Sequence, residues 1–142
     1  MPQLLDLPGH LIRRMHQISV AAFNEHMRAL DRDITPLQFA VLSSLRINEG
    51  IDQISLAKAV AYDPVTISGV IDRLEKKNYL RRETNPADRR SKLVHLTQTG
   101  SRLLEEIRPE VEALQSTITA NLSAEETEQL KSLLYKATRE TS

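Results

Sequence analysis

Basic side chains are concentrated in one short segment of the sequence. Residues 73–102 contain nine Lys and Arg against three Asp and Glu, although the 142-residue chain has a net charge of zero. A local excess of this size can pair with the phosphates of a nucleic acid even in a neutral chain. The simpler alternative is a solvated charged surface, which is what most charge runs form. The residues just before the segment favour the first interpretation.

A run of small side chains lies there, directly after Asp63, a residue type that favours the N-cap of a helix. On a helix starting at that cap, the exposed residues of the first two turns are Pro64, Val65, Thr66, Ser68 and Gly69. Small groups can approach base edges closely in a major groove, and a Val or Thr methyl suits the methyl of thymine. Two β-branched residues and a glycine lower helix propensity without a packing gain, which indicates a surface shaped for a partner. Arg73 and Lys76 follow where phosphates would pass.

The sequence then changes to an extended pattern over "YLRRET" and "SKLVHLT", which predicts a two-stranded hairpin with a six-residue loop at 85–90. Three cations lie in this loop and at its exit: Arg89, Arg90 and Lys92. An arginine on a narrow hairpin suits the negative potential of a minor groove. Asp88 is unfavourable next to DNA, so we expect it to order the hairpin through an ion pair with Arg73 or Arg89.

The sequence lacks the common catalytic and metal-binding patterns. It has no GxSxG, HExxH, P-loop or glycine-rich dinucleotide motif, and its carboxylates accompany lysines and arginines on helical surfaces. The four histidines offer no i, i+4 pair with a clear third metal ligand. With no cysteine, disulfides, cysteine-ligated metals and thiol redox sensing are excluded. We therefore expect neither an enzyme nor a metal or other cofactor.

Helical patterns dominate the rest of the chain, in the order helix, helix, helix, helix, hairpin, long helix, helix. Two of them, 53–60 and 64–78, are joined by a tight turn and lead directly into the hairpin. This order predicts a mainly α fold with a small β-hairpin wing, that is, a winged helix-turn-helix. The length suits a single domain. Since neither a membrane span nor a secretory signal is evident, we expect a cytoplasmic protein with no membrane partner.

Side-chain caps indicate where the helices begin. Five residues of N-cap type precede predicted helices: Thr35, Asp52, Asp63, Thr97 and Ser123. Gln38 and Glu126 would complete capping boxes at the first and last of these. Asn78 stands where a helix end favours the left-handed conformation. The long helix carries apolar residues at helical spacing up to Leu122, with Pro109 inside, where we expect a bend or a lost backbone hydrogen bond.

The segment "ISLAKAVAYDPVTISGVIDRLEKKNYLRRETNPADRRSKLVHLTQTG" resembles the DNA-binding core of the MarR family of bacterial transcriptional regulators. The specific parts are "LAKAV", "VTISGVIDRLEKKNYLRR", the wing "DRRSK" and its exit "VHLTQTG". The order of the flanking helices also matches, so the resemblance covers nearly the whole chain. One departure is Asn78, where the family usually has glycine.

The resemblance implies a homodimer that binds a pseudo-palindromic double-stranded DNA operator. Residues 1–34 and 100–142 would interleave as dimerisation helices, and residues 35–99 would form the winged helix-turn-helix domain. By the same resemblance, Arg90 matches the arginine that enters the minor groove and Asp88 the residue that orders the wing. The five small residues after Asp63 occupy the base-reading stretch.

Many members of this family are repressors that small aromatic acids or phenols release from DNA. The stretch "GHLIRRMHQ" resembles members that respond to aromatic carboxylates or their thioesters. Arg13 and His16 are spaced so that one helical face can offer a carboxylate both a charged and a neutral partner, and His10 extends that stripe. These three residues are therefore candidate ligand contacts, with the alternative that they form salt bridges in the dimer or face water. A winged-helix protein-interaction module, or an activator without a small-molecule ligand, remains the alternative.

Overall fold

The computed structural model describes residues 3–139, which form a mainly helical protein with a small sheet. A short 3₁₀ turn at Leu4–Asp6 precedes the first helix. The helices are α1 (Pro8–Ala29), α2 (Pro36–Ile47), α3 (Gln53–Ala59), α4 (Pro64–Lys76), α5 (Gln98–Ile118) and α6 (Ala124–Ala137). The strands are β1 (Ile51–Asp52), β2 (Leu80–Asn85) and β3 (Asp88–Leu96). The winged helix-turn-helix order predicted from the sequence is confirmed.

Five helices begin at the predicted side-chain caps, because each cap satisfies backbone N–H groups that the first turn leaves free. The caps are Thr35, Asp52, Asp63, Thr97 and Ser123. Gln38 and Glu126 complete both predicted capping boxes. The helix α5 continues through Pro109 but ends at Ile118, so the prediction that it reaches Leu122 is wrong.

The end of α4 is set by Asn78, which adopts the left-handed conformation with a φ of 63°. The Tyr79 amide donates to the Leu74 carbonyl at 2.9 Å, and the Asn78 amide donates to the Glu75 carbonyl at 2.9 Å. These two bonds form a Schellman ending, which satisfies carbonyls that the last turn leaves free. The left-handed role predicted for Asn78 is confirmed.

The hairpin is longer and its connection shorter than predicted. Only Pro86 and Ala87 separate β2 from β3, because the Asn85 side chain accepts the Ala87 N–H at 3.0 Å and closes the turn locally. Arg89 and Arg90 consequently lie on β3 instead of in a six-residue loop. The sheet also has a third antiparallel strand, β1, in the order β1-β3-β2, which the two-stranded prediction lacked.

One apolar core joins the long helices α1 and α5 to the helix-turn-helix. It contains Met27 of α1, Leu42 and Leu45 of α2, and Leu104 and Ile107 of α5, all almost completely buried. The buried stripe of α4 is the predicted one: Ile67, Val70, Ile71 and Leu74. Because α1, α2, α4 and α5 share this core, α4 is held firmly against the long helices α1 and α5.

Two apolar surfaces remain uncovered within a single chain. Near the N-terminus, the exposed side chains include Leu4, Leu5, Leu7, Leu11, Ile12 and Ile18. No described residue of α6 is buried, and Leu133 and Tyr135 are 64% and 73% exposed. Contiguous exposed apolar patches of this kind mark surfaces that bind a partner.

Over residues 3–139, no individual helix combines the length and apolar character of a membrane span. The pair α3 and α4 does so only when the two are taken together, and this pair is bent by 107°. Such a bend lies within the range of helix-turn-helix motifs.

Candidate nucleic-acid interface

The exposed face of α4 is built by the helical period. The buried stripe centred on Ile67 and Ile71 fixes the orientation of the helix, and Val65, Gly69 and Lys76 fall on the opposite side. Val65 is 83% exposed. Its position near the helix N-terminus resembles the base-reading end of a recognition helix. Of the predicted small residues on the second helix of the helix-turn-helix, Pro64, Val65 and Thr66 are exposed, and Ser68 and Gly69 are partly exposed.

The cap of α4 also determines what Thr66 can offer to a partner. One carboxylate oxygen of Asp63 accepts the Thr66 backbone N–H at 2.8 Å, and the other accepts the Thr66 hydroxyl at 2.7 Å. These two bonds hold the pKa of Asp63 below its ordinary value, so the carboxylate stays ionised at neutral pH. Because Thr66 has donated its hydroxyl proton, it presents mainly a methyl group and an acceptor oxygen.

Arg90 lies on the wing with 93% of its side chain exposed. Asp88 accepts the Arg90 backbone N–H at 3.1 Å and contacts its Nε at 3.4 Å. The expected pairing of Asp88 with Arg73 or Arg89 is not the one formed, because residues i and i+2 of a strand share one face. Asp88 thus orients Arg90 itself, and its role in ordering the wing remains a prediction.

Some of the cations in the basic segment are engaged and others are free. Lys77 contacts the carboxylate of Asp33 at 3.4 Å, and Arg81 contacts that of Glu83 at 3.3 Å. Within residues 3–139, the predicted DNA contacts without a carboxylate partner are Arg73, Lys76, Arg89 and Lys92. These four cations can therefore approach phosphates without first breaking an ion pair.

The wing and the recognition helix meet at a shallow cleft. A cavity of about 160 Å³ is lined by Pro64 of α4, by Arg90 and Lys92 of β3, and by Gln53 and Ile54 of α3. The structure thus brings Pro64 together with Arg90 and Lys92, which follow it in the sequence by more than 25 residues. It also adds Ile54, which is 71% exposed at the start of α3.

An ion-pair network that the sequence analysis missed fixes the wing against α4. Arg82 on β2 contacts the carboxylates of Asp72 at 2.7 Å and Glu75 at 2.9 Å. The Glu75 carboxylate also accepts the Arg82 backbone N–H at 3.1 Å. Hydrogen bonding to Arg82 lowers the pKa of Glu75, and the same carboxylates raise the pKa of Arg82. In the sequence, Arg82 is indistinguishable from the other basic residues of the segment.

We expect Arg82→Ala to lower the free energy of unfolding by about 1–2 kcal/mol at pH 7, because it leaves two carboxylates of α4 without their partner. The folded pKa of Glu75 lies below the ordinary 4.5, so its contribution is present above that value and is lost as the pH falls through the folded pKa. Urea unfolding of both proteins between pH 7 and pH 3 measures the difference. A difference that stays constant down to pH 3 would contradict the assignment.

A second cavity lies away from the wing, between α2 and α5. It has a volume of about 290 Å³ and is mostly apolar, with Phe39, Ile47, Leu104 and Val111 among its lining residues. Its charged lining residues are Arg46, Arg108 and Glu112. The predicted ligand contacts His10, Arg13 and His16 lie on α1 and do not line it. The described residues contain no group of three His, Asp or Glu side chains placed to hold a metal ion.

Taken together, the helix-turn-helix, its free small-residue face and its cation-bearing wing define a DNA-binding protein of the winged helix-turn-helix class. A family model described as the MarR family matches residues 34–92. The transcriptional repressor NicR of Pseudomonas putida is 34% identical over 90% of this chain and 80% of its own length. The chain therefore belongs to the MarR family, as the sequence resemblance indicated, and is a transcriptional regulator of that family.

Solved structures of relatives extend this result to the whole fold. BpsR of Bordetella bronchiseptica, whose DNA binding is regulated by 6-hydroxynicotinic acid, is 34% identical with a TM-score of 0.90 over 99% of both chains. A cysteine-to-serine mutant of MarR from Escherichia coli, solved with operator DNA, is 35% identical with a TM-score of 0.83. That likeness covers 92% of this chain and 93% of the MarR chain.

Proposed function

We propose that the protein is a cytoplasmic, homodimeric repressor that binds a pseudo-palindromic operator and is released by a small aromatic or phenolic acid, or its thioester. The observation that carries the proposal is the free face of α4 beside a wing whose Arg90 is almost fully exposed. Relatives that cover nearly the whole chain support it, since one is named a repressor and another responds to an aromatic acid.

Dimerisation is supported by the two uncovered apolar surfaces. The N-terminal leucines and isoleucines and the exposed face of α6 lie in residues 1–34 and 100–142, which we assign to the dimer interface. A monomer that left both surfaces in water would lose the free energy of burying them. In a two-fold dimer, two copies of residues 35–99 can then reach successive major grooves about 34 Å apart.

For the DNA contacts, we assign two roles to the interface residues. The five small residues at the start of α4, which are exposed or partly exposed, read base edges: Pro64, Val65, Thr66, Ser68 and Gly69. The basic residues Arg73, Lys76, Arg89, Arg90 and Lys92 bind the backbone and the minor groove. Asp88 holds Arg90 in position for this.

The cavity between α2 and α5 is our candidate effector site. Its apolar lining suits an aromatic ring, and a carboxylate at its edge would lie near Arg46 and Arg108. Both arginines have only weak partners, with Arg46 3.7 Å from Glu105 and Arg108 3.6 Å from Glu112. Exposed ion pairs of this length contribute little, so a bound carboxylate can replace them at small cost.

The predicted ligand contacts on α1 require a different location. Arg13 and His16 are exposed, and His10 is partly exposed, beside the apolar surface that we assign to the dimer. We propose that they contribute to effector binding at the junction between the two protomers. An effector bound at either location would change the spacing of the two DNA-binding lobes, with an expected coupling of about 1–3 kcal/mol.

The test uses a duplex selected by the wild-type protein from a library with about 20 randomised base pairs, matching two half-sites. We expect a palindromic sequence to be selected, with affinity falling about 10³-fold or more between 50 and 200 mM salt. Adding 6-hydroxynicotinic acid or benzoic acid should lower the affinity for this duplex about 5- to 150-fold, as measured by fluorescence anisotropy. Failure to select any sequence would remove the regulator assignment for these residues.

The effector site has its own matched variants. Arg46→Gln should bind the selected duplex as the wild type does, but respond to the acid only at higher concentration. Arg28→Gln, an exposed arginine of α1 that does not line the α2–α5 cavity, is the control and should respond normally. If Arg13→Gln alone abolishes the response while Arg46→Gln does not, the site lies at α1 instead.

A further inference from the structure

The middle of the recognition helix contains a glycine that the protein itself does not need. Gly69 lies inside α4 and does not have a positive φ, so its backbone conformation is available to any residue. A Cβ added there would meet no described atom within 4 Å, so packing does not exclude a side chain either. Glycine in a helix interior is less stable than alanine. A residue that costs stability without a benefit inside the chain points to a requirement outside it.

Gly100 shows what a packing requirement looks like in the same molecule. A Cβ at that position would lie 1.9 Å from the carbonyl oxygen of Tyr79, a distance that no side chain can accept. Gly69 has no such neighbour. Its missing side chain therefore leaves an open recess on the outer surface of α4.

The side of this recess toward the N-terminus of α4 is apolar and poor in hydrogen-bond donors, whereas Asp72 and Arg73 lie one turn beyond it. Val65, one helical turn earlier, presents its methyl groups with 83% exposure. The Thr66 hydroxyl already donates its hydrogen bond to the Asp63 carboxylate, at 2.7 Å. Among the features that base pairs present in a major groove, the one apolar group is the C5-methyl of thymine. A recess between methyl groups is complementary to that group.

We propose that Gly69 is a specificity-determining residue whose recess receives a thymine methyl, with Val65 packing beside it. The inference rests on the proposed function, because it requires α4 to lie in a major groove. It adds to that function a base preference: each half-site contains a thymine at the position that faces Gly69. It also explains why a glycine stands on the side of α4 opposite its buried stripe.

The test combines a larger side chain at position 69 with a DNA base that lacks the C5-methyl group. Gly69→Ala places a methyl group in the recess, so its affinity for the duplex selected by the wild type should fall at least tenfold. The same change should raise Tm by about 3 °C, since alanine is the better helix former. A loss of binding in a more stable protein cannot come from unfolding.

Replacing thymine by uracil, one position at a time in both half-sites, removes the C5-methyl alone. At the position that faces residue 69, uracil should restore the affinity of Gly69→Ala to within about threefold of the wild-type value. The same uracil should slightly lower the affinity of the wild-type protein. Asn48→Ala is the control, since Asn48 is exposed after α2 and lies outside the residues assigned to DNA, to the dimer and to the effector. This control should leave affinity unchanged for every duplex.

The outcomes separate the inference from the proposed function. If the wild type selects no duplex, the proposed function fails and the inference fails with it. If the wild type binds and Gly69→Ala binds equally well, only the inference is overturned. If Gly69→Ala loses affinity and uracil restores it nowhere, the recess faces a sugar or phosphate and the thymine assignment is wrong.

Discussion

Replacing Arg90 with alanine is expected to weaken operator binding about 5- to 150-fold, the equivalent of about 1–3 kcal/mol. The side chain is 93% exposed on the wing, so it contributes almost nothing to the folded state that would be lost with it. On DNA, it would enter the narrow minor groove, where the negative potential is strongest. Anisotropy titration with the selected duplex measures the change, and size-exclusion chromatography shows whether the dimer is intact.

Two further variants make this result specific. Arg90→Lys keeps the charge but not the planar group with several donors, so it should recover only part of the lost affinity. Arg28→Ala removes an exposed arginine from α1 and should bind as the wild type does. Wild-type affinity in Arg90→Ala would show that the wing does not probe the groove through this residue, and Arg89 would then be the next to replace.

Gly100→Ala is expected to lower the free energy of unfolding by about 3 kcal/mol, at the upper end of the usual cost of over-packing. The added Cβ would lie 1.9 Å from the Tyr79 carbonyl oxygen and 2.8 Å from its carbon. Both are backbone atoms, so relief requires the chain itself to move. The Tyr79 carbonyl also accepts the Thr97 N–H at 3.2 Å, and that bond would be disturbed as well.

Thermal and urea unfolding measure this effect, with a decrease in Tm of about 10 °C expected for a chain of this size. Gly69→Ala serves as the control, since its added Cβ has free space and its Tm should rise instead of falling. A Gly100→Ala protein as stable as the wild type would mean that the start of α5 can move away from Tyr79 at little cost.

The elements of this fold were predictable because their signals are local. A cap residue such as Asp63 or Thr97 forms its bond with an N–H three residues later, and Asn78 reaches the left-handed conformation by its own preference. The exposed face of α4 followed from the same helical period that buries Ile67 and Ile71. Nothing distant in the sequence was needed for these predictions.

Features that depend on distant residues were missed. The strand β1 exists because Ile51 and Asp52 pair with Val94 and Leu93, which no local pattern reveals. Arg82 joins Asp72 and Glu75 only after α4 turns back onto β2. The shorter wing turn, in contrast, had a local signal, since Asn85 closes it with its own side chain. The predicted six-residue loop did not take that signal into account.

The cavity between α2 and α5 was beyond sequence reasoning for a different reason. Its residues, such as Phe39 and Val111, have the same apolar spacing as residues of the closed core. Whether such side chains meet or leave a gap depends on how the two helices cross. A period in the sequence does not carry that information.

The tight corner at Gly100 has a mechanical consequence. The Thr97 hydroxyl donates to the Asn78 carbonyl at 2.6 Å, and Gly100 packs directly beneath Tyr79, so α5 and the wing have no pivot between them. The helix is roughly 32 Å long at 1.5 Å per residue, and a tilt of about 10° over that length moves its far end by roughly 5 Å. In the proposed dimer, each helix α5 therefore moves as one rigid unit with the DNA-binding wing at its N-terminal end. The distance between the two wings is then set at the dimer interface, where the long helices meet, and this interface is far from any base that the wings read.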